Sequence, residues 1–199
     1  MNYADFKALY VLSCLALALI ILSPTLAMVI QLPGGERFSE LWILGSGGMA
    51  ENYPFNIVQG QVYNFFLGVR NHMDNLTYYV VYVKLRNQTE PLPDALSGTS
   101  SSLEPIFEYR TFLEDGGVWE KKIHFSFDAV SFDGNFCRVS GLTIDGHTLN
   151  VEKLAVWDVE NKGFYMQLFF ELWIYDRAFS GFQYHSRFVG FWINMTMPI

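Results

Sequence analysis

The sequence predicts a mainly β protein in which a single N-terminal transmembrane helix precedes an antiparallel β-sandwich. Two observations carry this prediction. Residues 8–35 contain no charged side chain, and period-2 alternation and turn residues dominate after residue 36. The predicted organisation is a transmembrane anchor with a short cytoplasmic tail over residues 1–35, followed by one β domain over residues 36–199.

The N-terminal stretch is long enough to cross a bilayer as a helix. Residues 8–32 would extend roughly 37 Å at about 1.5 Å per residue, whereas a hydrocarbon core of roughly 30 Å needs about 20 residues. The alternative is a cleaved signal peptide with Thr25-Leu-Ala27 as its cleavage site. Since the apolar core of a signal peptide usually has about 7–15 residues, we favour a retained single-pass anchor.

Charge distribution predicts that the β domain lies outside the cell. Lys7 precedes the apolar stretch, which weakly favours a cytoplasmic N-terminus. Without Lys7 and Asp5, 12 of the 13 basic and 19 of the 20 acidic residues remain for the rest of the chain. That acidic balance suits neither the anionic inner leaflet nor nucleic acid. Three sequons that could accept glycans agree with an extracellular domain, at Asn75, Asn87 and Asn194.

Eight segments have the alternation, or the β-branched and aromatic content, of strands. In residues 61–70, for example, Phe65, Leu67 and Val69 share one apolar face. The prolines and the Ser/Gly/Thr run of residues 90–102 predict an exposed loop. Residues 151–162 fit either a strand or an irregular connection. The predicted strands are Phe38–Leu44, 61–70, 76–86, 105–112, 119–127, Phe136–Ile144, 165–175 and 187–196.

The last two predicted strands carry more apolar side chains than one core can bury. In residues 165–175 the even positions make a complete inward face, and several aromatic residues remain on the odd face. If these two strands form a hairpin, their outward aromatic side chains adjoin, as in many interaction sites. The alternative is that a loop or the membrane surface covers them. The predicted partner-binding residues are Phe169, Trp173, Tyr175, Phe188 and Trp192.

Patterns typical of catalytic or metal sites are weak throughout the chain. The four histidines lack the spacing of metal ligands. Gly45-Ser-Gly-Gly48 fits neither a nucleophile elbow nor a phosphate loop, and predicts a turn after the first strand. Cys137 is expected to be a small buried hydrophobic residue, and with Cys14 in the bilayer no intrachain disulfide is possible. We therefore expect no enzymatic activity, no cofactor and no bound metal.

Several motifs resemble those of an archaeal family of membrane proteins of unknown function. In that family a membrane helix runs into a motif similar to Phe38-Ser-Glu-Leu-Trp42, and a Leu-Gly turn and a Tyr-Pro pair follow. The family also has a strand that ends in an Asn-His turn, and the strand of this chain that ends in Val69-Arg-Asn-His72 is similar to it. The closing strand, Gly190-Phe-Trp-Ile-Asn-Met-Thr196, is also similar. The resemblance implies an immunoglobulin-like (CARDB-type) ectodomain and supplies no catalytic residues.

The expected function is therefore non-enzymatic. The chain would be an accessory or docking subunit of a larger archaeal membrane complex, localised to the cell membrane with its β domain outside. Its expected partners are the lipid bilayer and other membrane or envelope proteins, with a second copy of the same chain as a further candidate. Two alternatives stay open, namely a structural subunit of a surface filament or lattice, and a surface domain that binds glycans or other ligands.

Overall fold

A computed structural model describes residues 3–29 and 36–197 of the chain. The chain divides into two compact units, one within residues 1–37 and the other within residues 38–199. The first unit contains helix α1, Tyr3–Val29. Large apolar side chains of this helix, such as Leu12 and Ile20, are exposed. In the described part of the chain, no helix is both long and apolar enough to cross a membrane. Residues 30–35 of the predicted anchor lie outside the described residues.

The second unit is mainly β, as predicted, and its ten strands join in one sheet. The strands are β1 (Phe38–Leu44), β2 (Asn56–Val58), β3 (Tyr63–His72), β4 (Thr77–Asn87), β5 (Phe107–Leu113), β6 (Val118–Asp133), β7 (Phe136–Ile144), β8 (His147–Asp158), β9 (Gly163–Asp176) and β10 (Gly181–Thr196). Their order along the sheet is β1-β3-β6-β7-β8-β9-β10-β2, and β4 pairs with β9 and with β5. All of these pairs are antiparallel except that of β10 with β2, which is parallel.

The sheet curls so that its two halves enclose one core. Strands β1, β3, β6, β7 and β8 form the first half, and β5, β4, β9, β10 and β2 form the second half. The ring of Phe65 on β3 lies 5.3 Å from that of Phe170 on β9 and 5.2 Å from that of Phe191 on β10. Cys137 is fully buried in the same core, as predicted. This arrangement is consistent with the predicted β-sandwich.

The predicted strands are all present, and two further strands are not among them. β1 and β7 have the predicted bounds, whereas β6 continues six residues beyond the predicted end, to Asp133. β8 occupies much of the segment that fitted either a strand or an irregular connection. β2 has three residues, too few to show alternation. Residues 90–102 form a loop, as predicted, with one isolated bridge between Asp94 and Thr99.

The glycine-rich segment after β1 forms the predicted turn. Gly45 N donates to Met49 O at 2.7 Å, and Gly48 N donates to Gly45 O at 2.9 Å. A Cβ atom on Gly45 would lie 1.9 Å from the backbone oxygen of Glu51. Glycine is therefore required at position 45 because the returning backbone occupies the space of a side chain.

Candidate functional site

The outer face of the second half-sheet carries the residues predicted to bind a partner. On β9 the even-numbered side chains, including Met166, Leu168 and Phe170, are buried in the core. Since successive side chains of a strand alternate between its faces, the odd-numbered residues of β9 belong to the outer face. The register places Glu171 at the centre of this face, between β4 and β10.

A buried ion pair occupies the centre of the outer face. Lys84 Nζ lies 2.9 Å from Glu171 Oε2, and the two side chains are 3% and 0% exposed. Glu171 Oε1 also accepts a hydrogen bond from Ser101 N at 2.9 Å, and Glu171 Oε2 accepts one from Trp173 Nε1 at 3.0 Å. Lys84 donates to Ser101 O at 3.0 Å. Each charge therefore has a counter-charge and further polar partners, as a buried ion pair requires.

Residues 90–102, which we call the covering segment, fold back over this ion pair. The segment is fixed near its end by the backbone of Ser101, which bonds both members of the pair. At its beginning, Glu90 accepts a hydrogen bond from Arg86 through its backbone oxygen, and its carboxylate pairs with Lys153. The loop was predicted from its composition, and a loop that covers the outer face was the stated alternative to a partner-binding surface.

Phe169 corrects the predicted partner-binding set, because it is fully buried. Gly190 lies opposite it on β10, where a Cβ atom would lie 2.6 Å from Phe169 Cβ. Because Gly190 has no side chain, Phe169 can pack against its backbone. In this fold Phe169 is therefore not accessible to a partner. Trp173 and Phe188 are half-buried beside Glu171.

Tyr175 and Trp192 remain exposed, at 41% and 38%, but they lie at opposite ends of the outer face. Trp192 is opposite Gln167 in the register, and Gln167 precedes Tyr175 by eight residues on β9. At about 3.4 Å per residue this separation is about 27 Å. The five predicted residues therefore do not form one continuous surface, and each end of the face carries its own candidate site.

The first candidate site is an aromatic cluster of Tyr78, Phe112, Tyr175 and Phe182. The rings of Tyr78 and Phe112 stack at 4.0 Å with an interplanar angle of 7°. Phe182 lies 5.0 Å from Tyr78 and 5.5 Å from Tyr175, in edge-to-face contacts. Phe112 is 63% exposed although it belongs to this packed group. The cluster is therefore a pre-assembled apolar patch rather than a set of scattered surface residues.

The second candidate site is a groove of about 450 Å³ at the opposite end of the face. Three aromatic and three polar side chains line it. The aromatic side chains come from the segment before β2 and from β9 and β10, and the polar ones come from the β4–β5 connection, the end of β8 and the β8–β9 connection. The lining residues are Phe55, Gln88, Asp158, Asn161, Tyr165 and Trp192.

The histidines have different side-chain neighbours in the fold, and His124 Nδ1 lies 4.0 Å from Asp145 Oδ1. His72 Nε2 lies 3.0 Å from Glu40 Oε1, and His147 lies beside Phe107 at 5.4 Å. Burial lowers the pKa of His185, and the positive charge of Arg187 adds to that effect. Among the residues that the structure describes, no three His, Cys, Asp or Glu side chains are grouped to hold a metal ion.

Asp145 has a perturbed pKa at the β7–β8 turn. Burial acts to raise its pKa, but hydrogen bonds from His124 N, Lys121 and Tyr109 outweigh burial and hold the pKa below its usual value. Lys121 Nζ and Tyr109 Oη lie 2.7 and 3.0 Å from Asp145 Oδ2. These contacts tie β5 and β6 to the turn, so Asp145 stabilises the fold and is no catalytic candidate.

The three sequons differ in how far their asparagine side chains are engaged. Asn75 is exposed, and its Nδ2 donates to Met73 O within the same turn. Asn87 is half-buried and donates across the fold to Leu154 O. Asn194 is half-buried, and its Oδ1 accepts from Phe164 N at 3.0 Å. Asn75 is therefore the most accessible of the three predicted glycan acceptors.

Sequence reasoning missed the ion pair of Lys84 and Glu171 and three of the four residues of the aromatic cluster. The three are Tyr78, Phe112 and Phe182. One signal could have found the ion pair. Lys84 is a basic residue within a largely apolar segment, and Glu171 is an acidic residue within another. A basic and an acidic residue that each interrupt an apolar strand would both be buried, so their pairing would indicate that the two strands are neighbours.

The solved structures that resemble the chain include two distant likenesses. A β-glucosidase from Listeria innocua, solved in complex with glucose, is 9% identical over 80% of this chain, with a TM-score of 0.39. The chain spans 16% of the length of that enzyme. The C-terminal domain of Wzt is 9% identical over 84% of this chain and 83% of its own, with a TM-score of 0.36. Both scores are too low for these likenesses to bear on the fold or the function of this chain.

Sequence comparison gives a firmer result. No curated protein matches the chain. The model of a family described as a domain of unknown function, DUF1616, matches residues 32–140. A family of unknown function agrees with the resemblance found in the sequence. The match covers more than half of the chain, and the chain therefore belongs to the DUF1616 family.

Proposed function

We propose that this protein is a non-enzymatic, membrane-anchored accessory subunit whose extracellular β domain docks onto another membrane protein of an archaeal cell envelope. The observation that carries the proposal is the aromatic cluster of Tyr78, Phe112, Tyr175 and Phe182. Its rings contact one another, yet Phe112 and Tyr175 keep 63% and 41% of their surface exposed. Packed and exposed aromatic rings of this kind are the usual centre of a protein interface.

The proposed anchor is the apolar N-terminal segment. It has no charged residue from position 8 to position 35, and α1 presents exposed apolar side chains such as Leu12 and Ile20. If the apolar residues 8–32 formed one helix, it would extend roughly 37 Å, more than the roughly 30 Å of a hydrocarbon core. The acidic charge of the chain supports an extracellular β domain, and Asn75 is then the first expected site of glycosylation.

The size of the patch supports a partner in the same membrane. Phe112, Tyr175 and the neighbouring turn residue Phe179 are 63%, 41% and 73% exposed. Together they offer about 350 Å² if one aromatic side chain has about 200 Å² of surface. A stable interface buries about 800 Å² on each partner, so this patch needs a second attachment. Two proteins anchored in one bilayer have that attachment, because anchoring raises their effective concentration.

The resemblance to archaeal membrane proteins supports the finer assignment of the fold as an immunoglobulin-like, CARDB-type domain. In such a domain the strands act as a scaffold, and the surface residues at its ends determine binding. This agrees with a docking role and with the absence of a recognisable catalytic motif in the sequence.

The test is a quantitative capture from native membranes with matched variants. The full-length chain would be extracted in a mild detergent, with wild type compared with Phe112→Ala/Tyr175→Ala and with Trp192→Ala as the control outside the cluster. We expect a stoichiometric integral membrane protein to accompany wild type and Trp192→Ala, and to be reduced tenfold or more in the double variant.

Three results would overturn the proposal. The companion could be retained by the double variant, which would place the interface elsewhere. The chain could come out alone, or it could come out as a homopolymer with a regular repeat in electron micrographs. That last result would favour the surface filament or lattice.

A further inference from the structure

We propose that the groove lined by Phe55, Tyr165 and Trp192 is a binding site for a neutral saccharide. Saccharides present apolar C–H faces beside hydroxyl groups, so a site for them needs aromatic rings together with hydrogen-bonding side chains. The groove offers both, and its volume of about 450 Å³ lies within the range of roughly 300–1,000 Å³ typical of small-molecule sites. This inference is independent of the docking function, which uses the opposite end of the face.

The aromatic rings of the groove are held in place by the sheet. The rings of Phe55 and Tyr165 lie 6.1 Å apart at 37°, and Phe55 is 46% exposed. Asn194 N donates to the backbone oxygen of Phe55 at 2.7 Å, which ties the segment before β2 to β10. Tyr165 Oη donates to Asn161 O at 2.6 Å. Rings that are fixed before binding lose little conformational freedom on contact with a ligand.

Trp192 provides the largest aromatic ring of the groove. The guanidinium of Arg86 lies over its ring at 5.1 Å from the centroid, and the indole is still 38% exposed. Beside it, Gln167 Oε1 and Arg86 Nε are buried without a protein hydrogen-bond partner among the described residues. The register places Arg86, Gln167 and Trp192 in one row across three strands. The indole is therefore positioned by Arg86 while part of its surface stays accessible in the groove.

The polar lining suits hydroxyl groups. Gln88 Nε2 donates to Val156 O at 2.9 Å, which fixes the amide while its Oε1 remains an available acceptor. Asn161 Nδ2 donates to Asp158 Oδ2 at 2.9 Å, which leaves the side-chain oxygen Asn161 Oδ1 as a second acceptor. Hydrogen bonds from Asn161 and from the backbone of Asn161 and Glu160 lower the pKa of Asp158, which therefore stays ionised as a third acceptor.

The charge of the lining selects among ligands. Asp158 is the one charged side chain among the six lining residues, and Arg86, which lies over the Trp192 ring, is not among them. An anionic sugar or a phosphate would therefore meet a like charge at Asp158. A quaternary ammonium ion could contact the rings and Asp158, but it has no use for the amide acceptors of Gln88 and Asn161. The neutral saccharide is the ligand whose groups match all six residues.

The test is a binding titration of the full-length chain, produced in a host without N-glycosylation. The detergent must be a polyoxyethylene type, because glucoside, maltoside and phosphocholine headgroups would themselves compete. The probes are neutral tetrasaccharides of glucose (α- and β-linked), mannose and N-acetylglucosamine, with tetragalacturonate and choline as charged comparisons. Binding is read from tryptophan fluorescence and from NMR shifts of the Gln88 and Asn161 side-chain amides, up to about 10 mM.

We expect at least one neutral tetrasaccharide to bind saturably and to shift both amides. Phe55→Ala and Trp192→Ala should each weaken binding about tenfold or more, while Phe112→Ala in the aromatic cluster should bind as wild type does. Far-UV circular dichroism that matches wild type would show that each variant folds.

Failure of all neutral probes would overturn the proposal, as would binding that Phe55→Ala and Trp192→Ala leave unchanged. Choline binding that Asp158→Asn abolishes, without saccharide binding, would assign the groove to a cation instead. None of these results depends on the capture of a membrane partner, so the two proposals fail separately.

Discussion

Replacing Lys84 with methionine should lower the free energy of unfolding of the β domain by about 3–5 kcal/mol. The substitution keeps most of the volume of the side chain and removes its charge. Glu171 is 0% exposed and would keep Ser101 N and Trp173 Nε1 as partners, but no counter-charge. A buried carboxylate left in this state typically costs an amount of this size.

The expected loss of unfolding free energy is large because the ion pair of Lys84 and Glu171 is buried. An exposed ion pair of the same domain is therefore the matched control. Arg138 Nη1 lies 3.5 Å from Glu152 Oε2, and the two side chains are 59% and 75% exposed. Removing the charge of an exposed pair costs about 0.2–1 kcal/mol, because water solvates the remaining partner. Arg138→Met should therefore change the free energy of unfolding by less than about 1 kcal/mol.

The measurement is urea unfolding of the full-length chain, followed by tryptophan fluorescence at pH 7. The double variant Lys84→Met/Glu171→Leu removes both charges and should recover most of the stability that Lys84→Met loses. Hydrogen exchange at the Ser101 N–H adds a local readout, because this proton is bonded to Glu171. We expect Glu171→Leu to expose the covering segment to exchange while the amides of β3 remain protected.

The reasoning would be refuted if Lys84→Met and Arg138→Met had equal effects. It would also be refuted if the double variant were no more stable than Lys84→Met. In either case the charges at the centre of the outer face would be solvated, and the covering segment would not be docked on them in solution.

Three further predictions concern stability and reactivity. Gly45→Ala should lower the free energy of unfolding by about 1–3 kcal/mol, measured by urea unfolding, since its Cβ would overlap the backbone of Glu51; a neutral effect would contradict the turn geometry. The pKa of Asp145 is lowered in the fold, so its contribution is present above its unfolded pKa of about 3.9 and is lost as the pH falls through the folded value. Asp145→Asn should therefore be about 1–2 kcal/mol less stable than wild type at pH 7, and thermal unfolding should show this difference shrinking towards pH 2; a constant difference would contradict the charge-based cause. Burial raises the pKa of the Cys137 thiol to about 12, so in a Cys14→Ser background Ellman's reagent should react with Cys137 at pH 8 after unfolding and not before.

The strand positions could be predicted because they depend on local alternation. Phe65, Leu67 and Val69 occupy alternate positions of β3, and all three are fully buried. β8 was ambiguous because its pairing with β7 shifts register between Val139 and Gly141. A register shift interrupts the period-2 pattern on which the prediction rests.

The candidate site could be predicted only in part because it depends on contacts between distant segments. Tyr175 and Trp192 are outward-facing and exposed, as their positions on the strands suggested. Phe169 has the same parity on β9 and is buried, because Gly190 on the neighbouring strand gives it space. The partner of Glu171 comes from Lys84, and alternation along β9 says nothing about which strand lies beside it.

The order of the sheet also constrains when the domain can fold. β4 pairs with β9, and Thr196 Oγ1 on β10 donates to Ile57 O on β2, 139 residues earlier in the chain. The second half-sheet therefore cannot close until nearly the whole chain has been synthesised. Pairings between such distant segments make folding slow, and β4 exposes its apolar face until β9 arrives. The first half-sheet, which contains β3, β6 and β7, can form before the second. Its inner face would then be the surface against which β9 and β10 pack to complete the core.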